Sequence, residues 1–152
     1  VTIGFGIMCP TAVALANLFG LTSPAGIAPI AEQFSAVKSS EPGKCSGYYE
    51  QFSKIRMPLD RAQEIMAQRL GSSITQCRKR IPEFDALPIP VATAAVDIDY
   101  NVKGGIGSFP SFCAAVARGD WAAAAVESDR PQLPKRSADT RALILSVANA
   151  VS

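Results

Sequence analysis

The chain opens on an alternating pattern and continues on a helical one. Val1-Thr2-Ile3-Gly4-Phe5-Gly6 alternates apolar and small residues, as a short strand or hairpin arm with glycine-relaxed backbone does. From Thr11 to Phe19 the apolar residues Val13, Leu15, Leu18 and Phe19 fit a helix that Gly20 stops. Thr22 to Gly26 reads as a turn, and Ile27 to Val37 as a second, weakly patterned helix. Lys38 to Gly43 is a loop by composition, followed by the short aromatic segment Gly47 to Phe52.

The clearest signal follows Pro58. Ala62, Met66, Leu70, Ile74, Cys77 and Ile81 are spaced 4, 4, 4, 3 and 4 apart, which predicts one continuous helix of about 20 residues ended by Pro82. Gly71 inside it costs about 1 kcal/mol relative to Ala. Pro90 can start the next helix, and Val91 to Tyr100 is apolar enough to be central. Gly104-Gly105 is a turn. Ser108 is positioned to cap a helix carrying Phe109, Phe112, Cys113 and Val116; Asp120 is positioned to cap Trp121 to Val126. Ser137 is positioned to cap a last helix whose apolar members are Ala142, Leu143, Leu145, Val147 and Val151. No apolar run reaches the ~20 residues that span a membrane.

Length and composition narrow the chemistry. With 152 residues the chain amounts to one domain, which buries roughly 68–70% of its unfolded surface and needs no metal or disulfide to fold. A net charge of +2, from 15 basic and 13 acidic residues, is too weak to argue for nucleic acid, which usually calls for a clustered basic face. The run Arg78-Lys79-Arg80 reads as a solvated helix end, or as a contact for an anionic polymer such as a cell-wall glycan with peptide carboxylates. There is no histidine, so the usual base of serine and cysteine hydrolases and the commonest metal ligand are missing. No metal or other cofactor is suggested.

Four cysteines are present and none forms a C-x-x-C pair, which argues against a zinc or thioredoxin-type site. Cys77 and Cys113 fall on helical patterns and read as small buried hydrophobes. Cys9 and Cys45 lie in loop-like sequence and are the better candidates for a disulfide, which would imply an oxidising compartment. Val1 in place of Met marks a processed or truncated product.

Several short motifs occur in an order that resembles the phage-type (T4-like) lysozyme family. Thr2-Ile3-Gly4-Phe5-Gly6 is similar to its T-I-G-x-G segment. The start of its long connecting helix is matched by Met57 to Glu64, the D-A-L before its central helix by Phe84-Asp85-Ala86-Leu87, and the aromatic-Asn-Val ending that helix by Tyr100-Asn101-Val102. Gly105, Phe109 and Ala117-Arg118-Gly119-Asp120-Trp121 follow in the family's order, with Arg136 and Arg141 in its arginine-containing terminal region. Thr22 to Arg56 matches nothing in the family and reads as an insertion.

The resemblance implies a mainly α (α+β), lysozyme-like fold. A small N-terminal β element and a helical C-terminal lobe are then joined by a long helix. Residues 1–152 form a single domain, with 1–56 an irregular N-terminal lobe carrying the insertion and 57–152 the helical lobe. It also implies a glycosidase that cuts bacterial peptidoglycan by carboxylate acid catalysis. Such chemistry needs an acid for the glycosidic oxygen and a second polar group on the opposite face. The family's acid is a glutamate before T-I-G-x-G, a position that falls upstream of Val1. The family's threonine corresponds to Thr2, whose hydroxyl is too weak an acid for the first task and suits the positioning of water.

By the same resemblance Gly6 offers a backbone N–H to a sugar. Tyr100 and Asn101 supply a ring face and an amide to the groove floor, and Ser111 lines the other lip. Ile7 stands where the family keeps histidine, and Trp121 reads as core. Asp97 and Asp99, two apart, face different sides of their helix and read as solvating its end. Of Glu32, Glu41 and Glu50 in the insertion, no pattern singles one out. The implied setting is exported, periplasmic or wall-acting, with an inhibitor or immunity protein as a further partner. A non-catalytic lysozyme-like module that binds peptidoglycan or a protein is the alternative, and a purely structural α-protein a third reading.

Overall fold

In a computed structural model, which describes residues 2–3 and 7–150, the chain is mainly helical. Among the described residues eight helices run in order: α1 Ala12–Leu18, α2 Pro24–Ser39, α3 Ser46–Tyr49, α4 Leu59–Arg80, α5 Ile89–Asn101, α6 Pro110–Ala117, α7 Trp121–Glu127 and α8 Pro134–Ala150. Short 3-10 turns at Phe84–Ala86 and Gly105–Ser108 precede α5 and α6. Strand among the described residues is confined to β1 (Thr2–Ile3) and β2 (Ile7–Met8), antiparallel with Thr2 opposite Met8 and Ile3 opposite Ile7. The expected β element amounts to this two-rung ladder and makes no lobe of its own. No helix among the described residues is long and apolar enough to cross a membrane.

The chain divides into two compact units, Val1–Ala67 and Gln68–Ser152, with the boundary inside α4. In the first unit, Thr11 caps α1 by accepting from the Ala14 N–H at 3.1 Å, and Gly20 follows the helix at φ 73°. Arg61 Nε donates to the Leu18 carbonyl at 2.9 Å, satisfying an acceptor the helix end leaves open. The expected turn at 22–26 is a helix start instead: Ser23 accepts from the Gly26 N–H at 3.2 Å and Pro24, which has no N–H to lose, begins α2. A small core forms from Cys9, Leu15, Ala16, Ile30, Phe34 and Ile65.

Most of the unmatched segment 22–56 is therefore the 16-residue α2 and its tether. Gln33 Oε1 accepts from Lys54 N at 2.6 Å, from Ile55 N at 3.2 Å and from Ser53 Oγ at 3.2 Å. Tyr49 closes the preceding loop by donating to the Glu41 carbonyl at 2.9 Å and accepting from Lys44 N at 3.2 Å. The disulfide expected between Cys9 and Cys45 does not form. Cys9 is sunk in the core while Cys45 is exposed at the start of α3, and a bridge needs Cβ atoms about 3.8 Å apart.

The second unit packs around α5, whose stripe Val91, Ala94, Ala95 and Ile98 is at most 1% exposed. Phe112 and Val116 from α6, Ala124 from α7 and Ile144 from α8 close over it, together with Cys77 and Ile81. Trp121 packs on the edge of this core. Asp120 caps α7 as its sequence position suggests, accepting from Ala123 N at 3.0 Å.

Two other expected caps are corrected. Phe109, not Ser108, precedes α6, because Pro110 takes the first helical position. Ser137 lies inside α8, which starts at Pro134. Along α8 the buried apolar residue among those described is Ile144, in line with buried Ser137 and Thr140, whereas Ala142 and Leu143 are exposed.

Candidate functional site

The C-terminal end of α5 gathers the most polar chemistry of the second unit. Asp97 is half-buried beside the apolar stripe, where an unpaired carboxylate would be costly. It has four partners. Its Oδ2 accepts from Arg130 Nη1 at 2.8 Å and from Thr140 Oγ1 at 3.3 Å; its Oδ1 accepts from Arg136 Nη1 at 2.7 Å and from Asn101 Nδ2 at 2.8 Å. The reading of Asp97 as solvation of a helix end is thus overturned. Asp99 points elsewhere and accepts from the Ile106 N–H at 2.9 Å, which ties the turn after α5 back to the helix.

Arg130 is the centre of this network, with its side chain 1% exposed. Its Nη2 donates to the Arg136 carbonyl at 3.1 Å and to Thr140 Oγ1. Its backbone N–H donates to Ser137 Oγ at 2.8 Å, and that hydroxyl donates back to the Arg130 carbonyl at 3.1 Å. Only Nε is left without a partner. Burying a guanidinium costs several kcal/mol, which the carboxylate and two neutral acceptors offset. Two arginines share one aspartate here, so a surplus positive charge remains, carried on the half-exposed Arg136.

Sequence reasoning picked out Arg136 and Arg141 and missed Arg130. The available signal was Asp97 itself: a carboxylate one position before buried Ile98 and three after buried Ala94 demands a cation from elsewhere in the chain.

The network also fixes Asn101. Its Nδ2 donates to the Asp97 carbonyl at 2.9 Å as well as to the Asp97 carboxylate, and both partners can only accept. The amide therefore cannot turn over, and Oδ1 makes no hydrogen bond to a described residue. Because Arg130 Nε alone is buried without a partner among the described side-chain N and O atoms, this oxygen reaches solvent. Asn101 offers a visitor one acceptor and no donor.

Tyr100 is half-buried beside it. Ser111 is exposed in the first turn of α6 and shares no hydrogen bond with Asn101. Thr2 belongs to the first unit, on β1; its side chain and all of Gly6 lie outside the described residues.

The thiols offer no nucleophile here. Burial first, then Asp99 and Cys113, push Cys77 up to about 12. Burial also raises Cys113, against the lowering effect of Arg80. Both are protonated near neutral pH, and only a thiolate attacks. Among the described residues no group of three or more His, Cys, Asp or Glu side chains could hold a metal ion. The basic run divides its duties: Arg78 forks onto Asp85 through Nε at 3.0 Å and Nη2 at 2.9 Å, holding that carboxyl below its usual range, whereas Arg80 makes no ion pair with a described residue.

No protein-family model, curated protein or solved structure matches the chain.

Proposed function

We propose that these residues form the body of a lysozyme-like glycoside hydrolase that cleaves bacterial peptidoglycan, and that the end of α5 receives the glycan. The observation that carries this reading is the locked amide of Asn101. The residue that the motif resemblance assigns to the groove floor has one orientation and one solvent-facing acceptor. A glycan offers donors to such an oxygen in its hydroxyls and in the N–H of its N-acetyl groups. The surplus charge on Arg136 suits the carboxylates of the peptide stems.

In the chemistry proposed, an acid protonates the glycosidic oxygen and Thr2 orients the attacking water on the opposite face. The glutamate that the resemblance requires has no counterpart among these 152 residues. Asp97 does not replace it, being engaged with two guanidinium groups and an amide. The Asn101 acceptor and the charge on Arg136 also suit a second reading, a module that grips peptidoglycan without cutting it.

The test is release of reducing ends from purified peptidoglycan by the natural protein that carries these residues. Steady release that falls about tenfold or more in Thr2→Ala, a loss of at least ~1.4 kcal/mol of barrier lowering, supports the hydrolase. Sedimentation with the wall but no release points to the binding module. Neither sedimentation nor release rejects both.

A further inference from the structure

A second polar site lies in the same helical unit and is independent of the glycan reading. A cavity of about 300 Å³ is lined by Gln76 and Arg80 from α4, Asp99 from α5 and the turn 104–107. Gln76 and Arg80 are four apart, so they share one helix face. The turn can reach the cavity only because it is glycine. Gly104 and Gly105 sit at φ 93° and 61°, and a Cβ on Gly105 would fall 2.4 Å from Asp99 Oδ1. Arg80 lies across Gly107, where a Cβ would be 3.5 Å from Nη2.

The polar groups around this cavity are not used up by the protein. Arg80 and Gln76 make no hydrogen bond or ion pair with any described residue. Asp99 spends Oδ1 on the Ile106 N–H, and its Oδ2 has no partner among the described residues and is not buried. A planar cationic fork, an amide and one carboxylate oxygen therefore border the same space. A guanidinium fork matches a carboxylate, and a carboxylate oxygen matches an ammonium group. A lone anion would meet Asp99, and a lone cation would meet Arg80. A molecule carrying both charges meets neither penalty.

We propose that this cavity binds a small zwitterion of amino-acid or dipeptide size, its carboxylate on Arg80 and its ammonium on Asp99. Gln76 accepts or donates to the remaining polar atoms.

The experiment is calorimetric titration of the intact protein with three probes that carry different terminal charges: alanyl-alanine, its N-acetyl form and its C-terminal amide. The expected result is saturable binding of the zwitterion, weakened about tenfold or more in the singly charged probes, in Arg80→Gln and in Asp99→Asn. Asn at 99 keeps an acceptor for the Ile106 N–H, and an unchanged melting temperature shows that the fold survives. Equal binding of the N-acetyl form would reduce the site to a plain anion contact and overturn the proposal. So would no saturable binding, or binding that both substitutions leave intact. None of these outcomes bears on the release of reducing ends, so the two readings fail separately.

Discussion

The two units stabilise themselves in different ways. Among the described residues the first has a core of six buried side chains, and its long loop is held by hydrogen bonds from polar side chains, Gln33 and Tyr49, to backbone. Its ion pairs are exposed: Arg56 and Glu50 stand 3.5 Å apart with more than half of each side chain in water. The second unit has a core more than twice as large and places a guanidinium inside it. Only a unit that buries enough apolar surface can carry such a group, and the group then fixes how α5, α8 and the loop between α7 and α8 meet. Arginine-to-carboxylate contact is thus structural where it is buried, at Arg130 and Asp97, and marginal where it is exposed, at Arg56 and Glu50.

The largest expected effect breaks that contrast. Asp97→Ala leaves Arg130 buried without its counter-ion and should cost about 3–5 kcal/mol in denaturant unfolding. Arg56→Ala removes the exposed pair of the first unit and should cost less than about 1 kcal/mol. Combining Asp97→Ala with Arg130→Met should recover most of the loss, since replacing both partners by apolar groups is often neutral.

The glycine turns sharpen the comparison next. Gly105→Ala forces a left-handed alanine against Asp99 Oδ1 and should cost about 1–3 kcal/mol. Gly20→Ala in the first unit meets the same backbone preference but has nothing within 4 Å of its Cβ, so its cost should fall at the low end, about 1 kcal/mol. Urea melts of the two variants check the order.

Cys77 gives the second unit an alkaline weakness. Its folded value is raised above the ordinary 9.0, so its contribution is complete below pH 9 and is lost as pH climbs toward about 12. At pH 10 the unfolded state gains about 1.4 kcal/mol from this thiol, and Cys77→Val should abolish that part of the pH dependence. A thiol reagent at neutral pH should label exposed Cys45 in the native protein and spare Cys77. The smallest effect is a gain: Gly71, exposed in α4 with open space around its Cβ position, should stabilise the protein by about 1 kcal/mol when changed to Ala.

Legibility followed the same divide. Periodic apolar residues gave α4 within a residue or two, and a cap with a left-handed glycine before it, Gly119-Asp120, gave the start of α7. The first unit was harder because Gln33 acts on backbone groups 21 and 22 residues on, and Tyr49 on groups five and eight residues back, and no spacing rule marks them. Ser23-Pro24 was misread as a turn because the same residue pair opens turns and helices. In the second unit the miss was Arg130. It sits in a proline-containing loop, where a charged residue normally faces water, and its burial depends on a partner 33 residues earlier. Of the candidate site, Tyr100, Asn101 and Ser111 were named from the motif order, but the lock on Asn101 could only be seen once Asp97 had its partners.

In the proposed hydrolase, Asn101, held by Asp97, presents a single acceptor to a glycan. The most direct test is titration of a soluble N-acetylated glycan oligomer against the protein, followed by NMR of the Asn101 side-chain amide, with Asn101→Leu as the control. The expected result is saturable binding that Asn101→Leu weakens about tenfold, with side-chain N–H resonances that barely shift because those hydrogens stay on Asp97. Binding that the substitution leaves unchanged, or a glycan that does not bind, would contradict it.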